Sequence, residues 1–187
     1  MTAPLFERER LTTAARCAKA ARAMNEARLS KRAHADRRWS ERALATLGVT
    51  LPYPKNQHLS GLHDECAQLL LETRPPEAWQ RLVELLDERL TPHHRILTVL
   101  ASLGEPSSVP RICDWFDRKD SAGAHGVSVH VWDALVAIGG DVVIREAEAR
   151  LATRPLNRHH RSVYEGVIAD VRSGAPRPNR VGFIVSP

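Results

Sequence analysis

Cysteine, aromatic residues and long apolar runs are all scarce in this 187-residue sequence. The three cysteines, Cys17, Cys66 and Cys113, lie far apart and lack C-x-x-C spacing. This argues against a disulfide framework or a thiolate zinc site, and for reduced, half-buried thiols. No stretch approaches the roughly 18 consecutive apolar residues of a membrane-spanning helix, and the N-terminus has no charged-then-apolar signal. We therefore expect a cytoplasmic protein with no membrane partner.

Motifs for catalysis and for metal or cofactor binding are also missing. The segment Gly126–His130 fails the Gly-x-Ser-x-Gly pattern of a nucleophile elbow, and the sequence has no Ser-x-x-Lys motif. Gly139-Gly140 leads directly into Asp141, whose carboxylate would repel a phosphate group. No two histidines have the i, i+4 spacing of a helical zinc site, and the His63 and Cys66 pair has no matching second pair. We expect no enzyme activity, no catalytic residues, no metal site and no cofactor.

The composition predicts an all-α protein with its basic charge at one end. Aromatic residues make up 5% of the chain, and Ala and Leu dominate the apolar residues, which favours helix over strand. The formal net charge is +5, and residues 1–50 contain 11 Lys or Arg against 5 Asp or Glu. Residues 51–120 contain 8 against 11, and residues 121–187 contain 8 against 6. The basic character therefore lies mainly in the N-terminal quarter.

Apolar periodicity and the positions of Pro and Gly predict nine helices. They are residues 3–28, 31–47, 61–73, 76–90, 93–103, 106–117, 129–138, 142–152 and 158–172. Ser30 is the expected N-cap of the second helix, and residues 121–126 are expected to form a flexible loop. The predicted domains are a basic Ala/Arg-rich helical pair at 1–50, a connector at 51–59, short helices at 60–173, and an extended tail at 174–187. The apolar end of that tail, Val181–Val185, is expected to dock along a helix or on a partner.

The segment Leu97–Pro110 indicates how the short helices are connected. Leu97, Leu100 and Leu103 lie on the apolar face of one helix, and Gly104 ends it before a turn into the next helix. Glycine suits a left-handed C-cap, and a proline in the first helical turn loses no hydrogen bond. Comparable turns occur at residues 71–82, 101–112 and 136–147, which are offset by 30 and 35 residues. Such a period, built from two helices and a tight turn, is typical of an α-solenoid.

Leu103–Pro110, with the sequence L-G-E-P-S-S-V-P, resembles the turn of a HEAT repeat. In that turn a Gly and an acidic residue precede a second helix that Val-Pro opens. Ile138–Asp141 resembles the same turn without the proline, and residues 71–82 match more loosely because Thr73-Arg74 replaces Leu-Gly. The resemblance covers residues 60–153 and implies a short right-handed α-solenoid of antiparallel helix pairs, with the last helix as a cap. HEAT-repeat proteins are mostly partner-binding scaffolds, which implies a non-catalytic protein-binding role as an adaptor, an inhibitor or an immunity-type protein.

The resemblance also indicates which residues would contact a protein partner, because the second helix of each pair usually lines the concave face. In this sequence the residues on the second helices form a row of mixed charge, which includes Asp117 and Arg150. Such a row suits a polar partner. Trp115 has two interpretations, either packing against the next repeat or serving as an exposed binding anchor. The predicted partner-binding residues are Arg81, Glu84, Asp114, Trp115, Arg118 and Arg145.

The basic N-terminal helices support an alternative function, nucleic-acid binding. Lys31-Arg32 and Arg37-Arg38, with Trp39 nearby, could contact phosphates and stack a base, and a His-His-Arg sequence begins two of the later helices. The competing interpretations are a solvated Arg-rich helix face, contact with an acidic protein, and polar helix-entry residues that face water. The candidate phosphate contacts are Arg16, Arg22, Lys31, Arg38, His94, Arg95, His160 and Arg161.

Overall fold

The computed structural model describes residue 11 and residues 13–50, 55–88 and 91–174. In these ranges the chain forms α-helices and two short 3-10 segments, and no strand, as the composition predicts. The helices are α1 (Ala14–Leu29), α2 (Arg32–Ala35), α3 (Arg38–Leu47), α4 (Ser60–Thr73), α5 (Ala78–Asp87), α6 (His93–Leu103), α7 (Val109–Asp117), α8 (Ser121–Ile138), α9 (Gly140–Thr153) and α10 (Arg158–Ser173). The expected helix start at residue 3 and the docking of Val181–Val185 lie outside the described residues.

The chain divides into two compact units, Met1–Leu103 and Gly104–Pro187. Helices α1–α6 belong to the first unit and α7–α10 to the second. The division falls within the Leu97–Pro110 segment, whereas the sequence suggested domain limits at 51–59 and 174. The turn itself has the predicted local geometry: Gly104 has a φ of +66°, and the Glu105 carboxylate accepts a hydrogen bond from the Ser107 amide at 3.1 Å.

The first unit is organised around α4, against which α1, α3 and α6 all pack. Helix α1 contributes a stripe of small and medium residues to this core, and α4 contributes larger aliphatic ones. Small side chains allow close approach of two helices, so the Ala-rich sequence of α1 is explained by its packing on α4. The buried apolar residues of the two helices are Cys17, Ala20, Met24, Ala27, Leu62, Cys66, Ala67, Leu69 and Leu70, and His63 of α4 is buried with them.

The predicted helix over residues 31–47 is wrong, because the chain breaks it into α2 and α3. Ser30 ends α1 instead of starting the next helix, and its hydroxyl donates to the Glu26 carbonyl at 2.6 Å. Lys31 then adopts a left-handed φ of 57°. At the second break, the Asp36 carboxylate accepts from the Arg38 amide at 3.1 Å. Short polar side chains that bond to nearby backbone compete with the helix in this way.

In the second unit α10 packs against both α8 and α9, and α7 also packs against α8 and α9. The predicted flexible loop at residues 121–126 is wrong, because these residues form the first turns of α8. Asp120 is the N-cap, and its carboxylate accepts from the Gly123 amide at 2.7 Å. Ala124 is completely buried. The Asp120 cap and the burial of Ala124 therefore outweigh the low helix propensity of Gly123 and Gly126.

Candidate functional site

The predicted partner-binding residues on α5 lie on its exposed face. Arg81 donates to Glu84 at 2.9 Å and to Glu88 at 3.0 Å. The hydrogen bond to Glu84 is the main reason that the pKa of Arg81 is raised. Arg81 and Glu84 are therefore accessible to a partner, but their charges are already paired with each other.

Trp115 does not serve as an exposed anchor, because its side chain is only 2% exposed. Helix α7 packs against α8 and α9, so it buries Ile112, Cys113 and Phe116 as well as Trp115. The Lys119 ammonium lies 4.4 Å from the centroid of the Trp115 ring. The structure thus corrects the interpretation of Trp115 as a partner contact and agrees with the packing alternative.

The three remaining residues of the predicted row belong to the second unit. Arg118 and Arg145 are exposed. Asp114 is half-buried and accepts from the Arg154 guanidinium at 3.2 Å, and it lies 3.0 Å from the Arg150 guanidinium. The second unit therefore offers Arg118 and Arg145 to a partner, while Asp114 takes part in an internal ion pair.

The internal ion pairs of the second unit centre on Arg150, which the sequence placed on the exposed row. This placement is wrong, since Arg150 is 5% exposed. Its guanidinium donates to Glu146 at 2.9 Å and to Asp117 at 2.5 Å, and the Tyr164 hydroxyl donates to the other Asp117 oxygen at 2.7 Å. Burial opposes the charged form of Arg150, but the hydrogen bonds to Glu146 and Asp117 outweigh it and raise the pKa. Burial, with the neighbouring negative charge, raises the pKa of Tyr164. This network joins α7, α9 and α10.

The three cysteines, Cys17, Cys66 and Cys113, carry free thiols that are fully buried, whereas the sequence predicted half-buried ones. Burial raises the pKa of Cys17 and of Cys66, and it raises that of Cys113 to about 12. The thiolate is the reactive form of cysteine. These side chains are therefore core residues and not nucleophiles.

Four candidate phosphate contacts, Arg16, Arg22, Lys31 and Arg38, are exposed on the first unit. Arg38 pairs with Asp36 at 3.0 Å. Carboxylates of α4 and of the α4–α5 turn neutralise other cations of α1–α3, as in the pairs Arg28–Glu72 at 2.7 Å and Arg37–Glu77 at 3.3 Å. Other exposed cations of this unit lie on α1, at Arg16, Lys19 and Arg22, and directly after it, at Lys31 and Arg32.

Two of the four His-Arg candidates at the starts of α6 and α10 make contacts within the fold. Arg95 is a half-buried residue that donates to Asp64 at 2.5 Å and to Ser60 at 3.0 Å, which corrects its assignment as a phosphate contact. His160 is also corrected, since it is 2% exposed and its Nε2 lies 3.0 Å from the Phe116 carbonyl oxygen.

The other two residues of these helix starts differ in exposure. His94 is half-buried. Arg161 is 48% exposed and lies 3.9 Å from Glu165. Of the four His-Arg candidates, Arg161 is therefore the one that the structure leaves on the surface.

A small pocket that the sequence analysis did not predict lies on the first unit, between α3 and the α4–α5 turn. We name it the α3–α5 pocket; its volume is about 140 Å³. The less exposed lining residues, Leu44, Pro75, Ala78 and Ser40, form a floor that is apolar apart from the Ser40 hydroxyl, and the exposed Arg37, Glu41 and Glu77 form a charged rim. The Arg37 guanidinium lies 3.4 Å from Glu41 and 3.3 Å from Glu77. The floor comes from residues more than 30 positions apart, so no local sequence pattern could have predicted it.

Within the described ranges, no group of three or more His, Cys, Asp and Glu residues is arranged to hold a metal ion. None of the helices in that part of the chain combines the length and the hydropathy that a membrane crossing requires. Comparisons with protein-family models, with curated proteins and with solved structures found no match to this chain.

Proposed function

We propose that this protein is a non-catalytic protein-binding module, and that the α3–α5 pocket takes one apolar side chain of a partner. The observation that carries the proposal is the combination of an apolar floor of Leu44, Pro75 and Ala78 with an exposed charged rim. Binding hot spots are commonly side chains that fill such pockets, surrounded by polar contacts that exclude water.

The size of the pocket favours a side chain over a metabolite. Small-molecule sites usually enclose roughly 300–1,000 Å³, whereas this pocket has a volume of about 140 Å³. A cavity of about 150 Å³ is sufficient for benzene, which is similar in size to an apolar side chain. A mixed-charge rim is also typical of the polar edge of a protein interface.

The HEAT-like solenoid is part of the same proposal. It is supported by the turn at Gly104 and by the positive φ of Gly139, 64°, at the end of α8. A solenoid would unfold as coupled nearest-neighbour repeats. Native-state hydrogen exchange should therefore give opening free energies that differ from helix to helix along α4–α10. One common opening free energy for α1–α10 would contradict the solenoid. An adaptor, an inhibitor or an immunity-type protein would each use such a scaffold.

The pocket is tested with N-acetyl-leucine methylamide as a probe, added to the isotope-labelled full chain in an NMR titration. Burial of one Leu side chain supplies about 1.5–3 kcal/mol, so the probe is needed at tens of millimolar. We expect shifts at Leu44 and Ala78 that disappear in Leu44→Asp. The matched control is Val129→Ser, which removes an exposed apolar side chain from the second unit and should leave the shifts unchanged. Absence of shifts around the pocket would overturn the proposal.

Nucleic-acid binding is the second candidate, favoured by one observation on α1. Arg16, Lys19 and Arg22 are exposed, and the first turn of α1 has no acidic residue to offset the partial positive charge of the helix N-terminus. Binding to a mixed-sequence duplex and a single strand is measured at about 50 and 200 mM salt, where several phosphate contacts change affinity by orders of magnitude. This function would be supported by salt-sensitive binding that is lost in the double variant Arg16→Gln/Arg22→Gln. The control double variant Arg118→Gln/Arg145→Gln should keep that binding. No binding at the lower salt would remove it.

A further inference from the structure

The most exposed large apolar side chain in the described residues is Leu29, at 69% exposure. It is the last residue of α1, and exposed Lys31 and Arg32 follow it. We name residues 29–32 the Leu29 corner. Val129 of the second unit is the other exposed large apolar residue, at 45%, but its sequence neighbours carry no Lys or Arg. An exposed apolar side chain beside two cations is a distinctive surface feature of the first unit.

The backbone of the Leu29 corner is held in one conformation by its own hydrogen bonds. The Ser30 amide donates to the Glu26 carbonyl at 3.0 Å, and the Lys31 amide to the Arg28 carbonyl at 3.0 Å. The Arg32 guanidinium donates to the Ser30 hydroxyl at 3.1 Å. A fixed corner loses less conformational entropy on binding than a mobile one. Leu29 is therefore presented as a preorganised projection.

The α3–α5 pocket complements the Leu29 corner in size and in charge. Its rim contains two carboxylates, Glu41 and Glu77, against one guanidinium, Arg37. The rim therefore carries one net negative charge, and Arg37 lies close to both of its carboxylates. A pocket of side-chain size with a net negative rim matches an apolar side chain beside Lys31 and Arg32.

We propose that Leu29 of one copy of this protein inserts into the α3–α5 pocket of a second copy, with Lys31 and Arg32 against Glu41 and Glu77. This inference rests on the proposed function of the pocket and names its occupant. A second copy is assigned as the occupant on the match in size and in rim charge, and Leu29, which is 69% exposed within its own chain, does not fill its own pocket. A duplex offers an apolar site only after costly base unstacking, which makes nucleic acid a poorer match for Leu29. Reciprocal insertion gives a symmetric dimer, and one-way insertion gives chains.

The association should be weak, because one inserted side chain covers far less than the roughly 1,000 Å² of a stable interface. Sedimentation equilibrium of the full chain is measured at concentrations up to about 1 mM, in low and high salt. We expect concentration-dependent self-association that weakens with salt, because the flanking ion pairs are exposed. Leu29→Ser should raise the dissociation constant about tenfold or more, since tenfold corresponds to about 1.4 kcal/mol. Val129→Ser is the matched control and should leave it unchanged.

Mixing two variants tests the pairing itself. Leu29→Ser keeps the pocket and lacks the projection, whereas Leu44→Asp keeps the projection and lacks an apolar pocket. Each variant alone should stay monomeric, and an equimolar mixture should regain a single contact and form heterodimers. Circular dichroism of both variants checks that they remain folded.

Three outcomes would overturn the inference: a wild-type chain that stays monomeric, self-association that both variants retain, and a mixture with no regained contact. The proposed function is tested separately by the leucine probe. Probe binding by a monomeric chain would reject the second copy as occupant while leaving the pocket as a protein-binding site.

Discussion

Substitution of Gly166 by Ala should destabilise the second unit, although a helix interior normally favours Ala. Gly166 lies in the middle of α10, where the Trp132 indole of α8 packs directly over its backbone. A Cβ atom at this position would lie 2.1 Å from Cη2 and 2.2 Å from Cζ2 of Trp132. The ring is also held at its other end, because Trp132 Nε1 donates to the Asp170 carboxylate at 2.9 Å. The close approach therefore requires glycine.

Two opposing effects decide the magnitude. Helix propensity favours Ala over Gly by about 0.8–1 kcal/mol. Carbon atoms in contact prefer a separation of roughly 3.5–4.0 Å, so the added methyl group must displace the ring or α10, and such overpacking typically costs about 1–3 kcal/mol. Displacing the ring also breaks the bond to Asp170, worth about 1 kcal/mol. We expect a net loss of about 1–3 kcal/mol in the free energy of unfolding.

The assay is urea unfolding followed by tryptophan fluorescence, with hydrogen exchange of the α10 amides to localise the effect. The control is Gly126→Ala in α8, where an added Cβ meets no atom within 4 Å. This control should gain about 0.5–1 kcal/mol from helix propensity alone. Trp132→Ala should remove the penalty, so that adding Gly166→Ala to it becomes neutral or stabilising. A Gly166→Ala chain as stable as the wild type would refute the argument.

Three further substitutions or measurements test the cores of the two units. Tyr164→Phe should lower the unfolding free energy by about 1–2 kcal/mol in urea titration, because the buried Asp117 loses a hydrogen-bond donor; unchanged stability would contradict this role. Burial lowers the pKa of His63 to about 4, so the unfolded chain takes up the proton first, and stability should fall by up to about 3 kcal/mol as the pH drops from about 6.5 to 4. His63→Gln should flatten that pH dependence in acid titrations monitored by circular dichroism. Iodoacetamide should not label Cys66 or Cys113 before unfolding, since only the thiolate reacts; rapid labelling of the native chain would disprove their burial.

The helix positions could be predicted where local signals decide them. The expected helix at residues 93–103 matches α6, and the expected helix at 61–73 differs from α4 by one residue. Helix α6 lies between Pro92 and Gly104, α4 ends shortly before Pro75, and both helices have one continuous apolar face. Such signals act within a few residues of the helix ends. These two helices could therefore be predicted without knowing which helices they pack against.

Burial of a helix against two neighbours could not be predicted from periodicity. Helix α7 buries Trp115 as well as Ile112 and Phe116 because it packs against α8 and α9, whereas a single apolar face accounts for one neighbour only. Arg150 was misplaced for the same reason, since its burial depends on Asp117 and Tyr164, which are supplied by other helices. Pairs of charged residues distant in the sequence leave no local pattern.

The burial of Trp115 and Arg150 makes the first unit a better candidate for partner binding than the second. With Trp115 in the core and Asp114 paired with arginines, the predicted row of the second unit retains the exposed charges of Arg118 and Arg145, and exposed charges contribute little to affinity. The first unit contains both a pocket with an apolar floor and the exposed Leu29 side chain. Apolar burial gives about 25 cal/mol per Å², whereas exposed ion pairs contribute roughly 0–1 kcal/mol each. Affinity for a protein partner should therefore respond to changes at Leu29 and Leu44 more strongly than to charge reversal at Arg118 or Arg145.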